Sequence, residues 1–180
     1  MKHLYVLFLV ISVLGFSQEK YLTKSGVLNF EASVDTFEEI KATNDNVTAI
    51  FNASNGQFAA LALVKGFRFK NALMEEHFNE NYAESNEYPK AIFKGELTNF
   101  SLETIQSTYT MNGTLTFHGV TKSLKNVAVE LISSENAFTF KGSFEIAPTD
   151  FDIEIPKIVR SKIANSVSVV FEFEMEKKIN

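Results

Sequence analysis

Residues Ser166–Lys177 read SVSVVFEFEMEK, and the fold is decided by how they alternate. Val167, Val169, Phe171, Phe173 and Met175 take every second position, while Glu172, Glu174 and Glu176 stand between the later ones. A period of two puts these sets on opposite faces of an extended chain, giving a strand with one dry and one wet side. The same pattern returns upstream. In AFTFKGSFEIA, Phe138, Phe140, Phe144 and Ile146 alternate with Thr139, Lys141, Ser143 and Glu145. In STYTMNGTLTFHG, Tyr109, Met111, Leu115 and Phe117 alternate with threonines, Asn112 and His118.

Weaker strand signals cover 27–33, 47–52, 90–97 and 125–132. The stretch GQFAALALVKGFRF is apolar on both faces, which predicts a strand covered on its outer side as well. The connections NASNGQ, FHGVTK and SSENA are short turns of the kind that join antiparallel neighbours. Three helices are expected. One is capped by Asp35 and runs to Ile40; the second lies in NALMEEHFNENYAESNEYP, Asn71–Pro89; the third starts near Pro156, with Ile155, Val159 and Ile163 four apart. The chain is therefore read as all-β, with about eight antiparallel strands forming a barrel or sandwich and two or three short helices.

At eight strands a closed barrel is either just filled by side chains or holds one small ligand. With 18 Phe in 180 residues and no Trp, most of the dry faces are phenylalanine. Phe can line an apolar lumen or pack against itself, and periodicity does not choose between the two.

The first segment, MKHLYVLFLVISVLGFS, stands apart from the rest. Lys2 and His3 precede a short apolar run, and Gly15-Phe16-Ser17 supplies small residues for cleavage, so residues 1–17 are read as a secretory leader and 18–180 as one domain. No membrane span is expected after its removal. The expected location is accordingly outside the cytoplasm, in the periplasm or beyond. Cysteine is absent, which excludes disulfides, thiolate metal sites and a cysteine nucleophile. The formal charge is −5, which argues against nucleic acid as a partner.

Candidate chemistry is sparse. His77 and His118 are the histidines outside the leader, and EEH is not a metal-binding spacing, so no metal and no other cofactor is expected. There is no G-x-S-x-G elbow and no phosphate-binding glycine loop. The helix at 71–82 presents Leu73, Met74, Phe78 and Tyr82 on one face, the face expected to close the barrel. Lys157, Arg160 and Lys162 form the one basic cluster, either a solvated face or a cationic rim.

Taken in order, KNALMEEHFNENYAESNEYPKAIFKG, YTMNGTLTFHGVTKSLKNVAVEL and FEIAPTDFDI resemble the YceI-like family of bacterial envelope and periplasmic proteins, over about residues 26–177. The N-terminal third departs from the commoner pattern: GVLNFEASVDTFEEIKATNDNVTAIFNAS lacks a glycine-rich early strand. The resemblance implies a lipocalin-like barrel whose elongated cavity holds a polyisoprenoid or related lipid, without established catalysis. On that basis the expected cavity residues are Phe69, Leu73, Met74, Phe78, Tyr82, Phe93, Met111, Leu115, Phe117, Phe138, Phe140, Phe144, Phe171 and Phe173, with His77, His118 and Arg160 as head-group contacts. The expected partner is an apolar lipid, and a homodimer is left open. Two alternatives stand beside this carrier. One is an enzyme on such a lipid using His77 or His118 as acid-base group, and the other is a filled barrel that binds another protein.

Overall fold

The computed structural model describes residues 19–34 and 37–178. The proposed leader lies outside them, as does Asp35. Among the described residues nine strands form: β1 Lys20–Glu31, β2 Lys41–Asn52, β3 Gln57–Leu63, β4 Arg68–Phe69, β5 Lys90–Leu97, β6 Thr108–Phe117, β7 Val120–Ser133, β8 Ala137–Ile146 and β9 Val167–Lys177. Every pairing is antiparallel, and β1 pairs with both β2 and β9, which closes an eight-stranded up-and-down barrel. The two-residue β4 stays outside that ring, its Phe69 and Arg68 paired with Ala42 and Thr43 of β2.

Alternation sets the inner and outer faces as the sequence requires. Val169, Phe171, Phe173 and Met175 are buried on β9, while Glu172, Glu174 and Glu176 are exposed. Glu172 lies opposite Lys141 on β8, and their side chains pair at 3.0 Å. The hydrogen bond and charge of Glu172 hold the Lys141 ammonium above its ordinary pKa.

The turns follow from their residues. Between β6 and β7 only His118 and Gly119 intervene, with φ of 47° and 74°. Two central residues at positive φ make the mirror-image turn whose twist suits a hairpin. Between β2 and β3, Gly56 takes a φ of 74°, and the Asn52 and Asn55 side chains accept from the Ser54 and Gln57 amides.

Three expectations are corrected. Phe37–Ile40 is not helical, so the short acidic helix does not form in the described part of its range. The third helix shrinks to one 3₁₀ turn, Arg160–Lys162, and the four-residue spacing of Ile155, Val159 and Ile163 marks a shared inward face and no α-helix. The outer side of β3 is open, with Leu63 53% exposed. Its alanines have an interior reason instead, since Ala60 and Ala62 leave room inside the barrel.

The helix at 71–82 does form. Asn71 caps it by accepting from the Leu73 and Met74 amides at 2.9 and 3.4 Å. Helix α1, Ala72–His77, runs into a π-helical turn, Phe78–Tyr82, closed by the Ala83 amide donating to the Phe78 carbonyl at 2.8 Å.

Candidate functional site

The interior is neither wholly hollow nor wholly filled. One end is packed solid: Phe51 meets Phe138 and Phe140 with ring centroids 5.4 and 4.8 Å apart, and Tyr21 meets Phe138 at 4.7 Å. At the other end lies a cavity of about 560 Å³, walled by β1, β8 and β9, the helix and the segment 147–163. That volume falls within the usual range for a small-molecule site. Its wall is apolar almost throughout, with Glu38, Asn71, His77, Tyr82 and Lys162 as the polar exceptions.

Each covering element is held by identifiable bonds. Glu75 anchors the helix to β4, accepting from Arg68 Nη1 at 2.9 Å and from the Phe69 amide at 3.1 Å. This is the role of the first acid in EEH. Phe78 points from the π turn into a cluster with Phe30, Phe67 and Phe69, at centroid distances of 5.3, 5.9 and 5.3 Å. The Asn71 amide also reaches Glu38 Oε1 at 3.3 Å across the mouth.

The segment after β8 is fixed through His118. Its Nδ1 lies 2.8 Å from the Phe151 carbonyl oxygen and its Nε2 lies 2.7 Å from Glu84 Oε2. Both contacts converge on one ring, so His118 joins the Phe151 backbone to the Glu84 carboxylate. Tyr88 packs edge-on against the same ring at 4.6 Å. The Glu87 carboxylate, through a hydrogen bond and its charge, holds the Tyr88 hydroxyl above its ordinary pKa, with burial and Glu84 adding to the effect. Phe151, positioned by this contact, is buried and lines the cavity.

Of the sequence-predicted cavity residues, Phe69, Leu73, Met74, Phe78, Tyr82, Leu115, Phe117 and Phe144 line the large cavity. Leu73 does so at the rim and is 56% exposed, so it is not turned wholly inward. Phe93, Met111, Phe171 and Phe173 line a second, deeper void of about 60 Å³. Phe138 and Phe140 line neither, because they fill the closed end. His77 is at the mouth, whereas His118 is a strut behind Phe151. Arg160 is also outside the cavity wall, its guanidinium donating to the Ile155 carbonyl at 3.2 Å, and the cation at the mouth is Lys162, over the Phe37 ring at 5.9 Å.

Sequence reading missed Leu28 and Phe30 of β1 and the run Phe151, Ile153, Ile155. The last three alternate with Asp152 and Glu154, a usable signal obscured by the surrounding turns. Among the described residues, no group of three His, Asp or Glu side chains is placed to hold a metal ion. Among those residues, too, no helix is long and apolar enough to cross a membrane.

Solved structures of similar shape share this barrel. A polyisoprenoid binding domain from Saccharophagus degradans implicated in plant cell wall breakdown aligns over 89% of this chain and 99% of its own, with a TM-score of 0.77 at 15% identity. BcnA of Burkholderia cenocepacia aligns over 84% and 96%, with a TM-score of 0.70 at 16% identity. The Campylobacter jejuni YCEI protein aligns over 99% and 100%, with a TM-score of 0.66 at 16% identity. A search of curated protein sequences gives no match. The family model of the YceI-like domain matches residues 18–175, nearly the whole barrel and both of its covering segments, and the chain belongs to the YceI-like family.

Proposed function

We propose that this protein is an exported carrier or buffer for an apolar or amphiphilic lipid, of polyisoprenoid or quinone type, held without chemical change. The observation that carries the reading is the 560 Å³ cavity, whose wall is almost entirely aromatic and aliphatic, with polar groups limited to Glu38, Asn71, His77, Tyr82 and Lys162. Such a wall rewards removal of apolar surface from water, at roughly 25 cal/mol per Å², and asks little of the head group. The polyisoprenoid binding named for the Saccharophagus degradans domain lends support from the same fold.

In this reading the lipid tail enters between the helix and the segment 147–163. Met74 and Phe78 adapt to its shape, since thioether and ring packing tolerate an irregular chain. Asn71, His77 and Lys162 stand where a polar head would rest. The leader-like residues 1–17 support action outside the cytoplasm.

Native mass spectrometry of protein purified from cells, followed by organic extraction, tests this directly. An apolar adduct released by solvent is expected. Protein that carries no lipid, and takes up none from mixed micelles, would overturn the proposal.

A further inference from the structure

The barrel is hollow only part of the way down, and the change occurs at a definite level. Gly26, Gly95, Gly113 and Gly142 replace side chains on the inward faces of β1, β5, β6 and β8, and Gly95 and Gly113 face each other in register. Aromatic rings lie over these gaps. A Cβ at Gly113 would stand 2.7 Å from Phe93 Cζ, and one at Gly142 would stand 2.5 Å from Phe171 Cζ, while Phe173 covers Gly26. The rings are thus drawn flat against the wall, and beside them remains the 60 Å³ void.

That void is continuous in its lining with the large cavity. Leu28, Ala91, Leu115 and Phe144 belong to both and form a neck between them. Below it, Phe58 and Met111 make a floor, and Phe58 is stacked on Phe140 of the filled end at 5.2 Å. Beyond this floor Phe51 packs against Phe138 and Phe140, and Tyr21 against Phe138.

We infer that this floor is a length stop, so that the site selects lipids with a short isoprenoid tail, of farnesyl to geranylgeranyl size, whose end enters the void past Leu115 and Phe144. The inference rests on the lipid-binding reading above and adds a limit to it. Along β6 the open face runs from Phe117 at the cavity to Met111 at the floor. The six steps between them span about 20 Å of strand at ~3.3 Å each. The usual barrel tilt reduces this to about 15 Å along the axis. An extended chain covers roughly 1.2 Å per bond, from ~3.6 Å per three-bond residue, so about a dozen bonds fit. A farnesyl tail meets that length and a geranylgeranyl tail reaches the mouth. A solanesyl tail is far longer and would leave most of its surface outside.

The test is a competition. Protein is incubated with an equimolar mixture of geraniol, farnesol, geranylgeraniol and solanesol in detergent, and bound species are read by native mass spectrometry. Farnesol and geranylgeraniol should dominate, with solanesol at least about tenfold lower. Ala60→Leu puts a branched side chain into the void and should cut geranylgeraniol about tenfold relative to farnesol, the burial lost by about two methylenes. Phe93→Ala removes a ring beside the void and should move the profile the other way, towards longer tails. Should Ala60→Leu fold poorly, this second variant still decides the matter. Solanesol bound as well as geranylgeraniol, equal losses at all lengths in Ala60→Leu, or an unchanged profile in Phe93→Ala would each overturn the length stop alone. Failure of every alcohol to bind would overturn the lipid-binding reading with it.

Discussion

His118 Nε2 stands 2.7 Å from Glu84 Oε2, joining the β6–β7 turn to the segment that follows the helix. The same ring reaches the Phe151 carbonyl at 2.8 Å, so one side chain ties three parts of the chain at the covered end of the barrel. Only 11% of the His118 side chain is exposed, whereas Glu84 is half exposed. The buried contact should therefore matter more. His118→Ala is expected to lower unfolding stability by about 1–3 kcal/mol, the cost of leaving a buried polar group unpaired. Glu84→Gln should cost less than about 1 kcal/mol, as for other exposed pairs. Denaturant titration of both variants checks this, and equal losses would show that the carboxylate, and not the carbonyl, holds the ring.

A histidine among acids first draws attention to His77, yet the structural weight falls on His118. The reason is visible in the chain. Residues 73–82 place Met74, Phe78 and Tyr82 on one helical face, and spacing alone suffices to find it. The alternation in β6, β8 and β9 likewise gives the inward side chains directly, because apolar residues recur at a period of two on either side of the glycines. The contacts of His118 join residues 33 and 34 positions apart, which no local pattern encodes. The three expected helices fared according to their neighbours. Asn71 caps a helix that Glu75 then bonds to β4, whereas the turn at 156–163 is drawn inward by Ile155, Val159 and Ile163 and stops at one 3₁₀ turn. Whether the barrel was hollow lay in the glycines: Gly95, Gly113 and Gly142 break the alternation at inward positions, and read as mere strand defects they conceal the level at which the lumen ends.

The helix face makes its own claim. Phe78 lies among Phe30, Phe67 and Phe69, while Glu76 is exposed. Phe78→Asp would set a carboxylate into the cavity wall, where a charge without a partner is strongly disfavoured. Lipid occupancy measured by native mass spectrometry should fall several-fold or more, and Glu76→Gln should leave it unchanged. Equal effects would mean that the helix does not present this face to the ligand.

Glu75 tests how the helix is held. Its two oxygens engage Arg68 Nη1 and the Phe69 amide. Glu75→Ala removes both bonds, and a loss of about 1–3 kcal/mol in local stability is expected for a charge-assisted contact of this kind. Hydrogen exchange should show it as faster exchange of the Phe69 and helix amides, with the β6 and β9 amides unaffected. Uniform acceleration across the barrel would instead make Glu75 part of global stability.

The two ends of the barrel should also separate under mutation. Phe138 is buried at the closed end, against Tyr21 and Phe51, and lines no cavity. Phe144 lines both the cavity and the void, and its nearest aromatic partner is Phe171 at 6.5 Å. Truncating a ring in a packed core costs both its transfer energy and a new hole, so Phe138→Ala should lose about 3–5 kcal/mol. Phe144→Ala enlarges a space that already exists, and the cost should be smaller. Its effect belongs to the ligand, because the neck widens and the bound chain-length profile shifts. Denaturant titration and lipid competition on the same two proteins would show stability lost at one end and selectivity altered at the other. Should Phe138→Ala change the lipid profile as much as Phe144→Ala does, the closed end must be accessible to ligand, and the division of the barrel into a filled and a hollow half would not describe how it works.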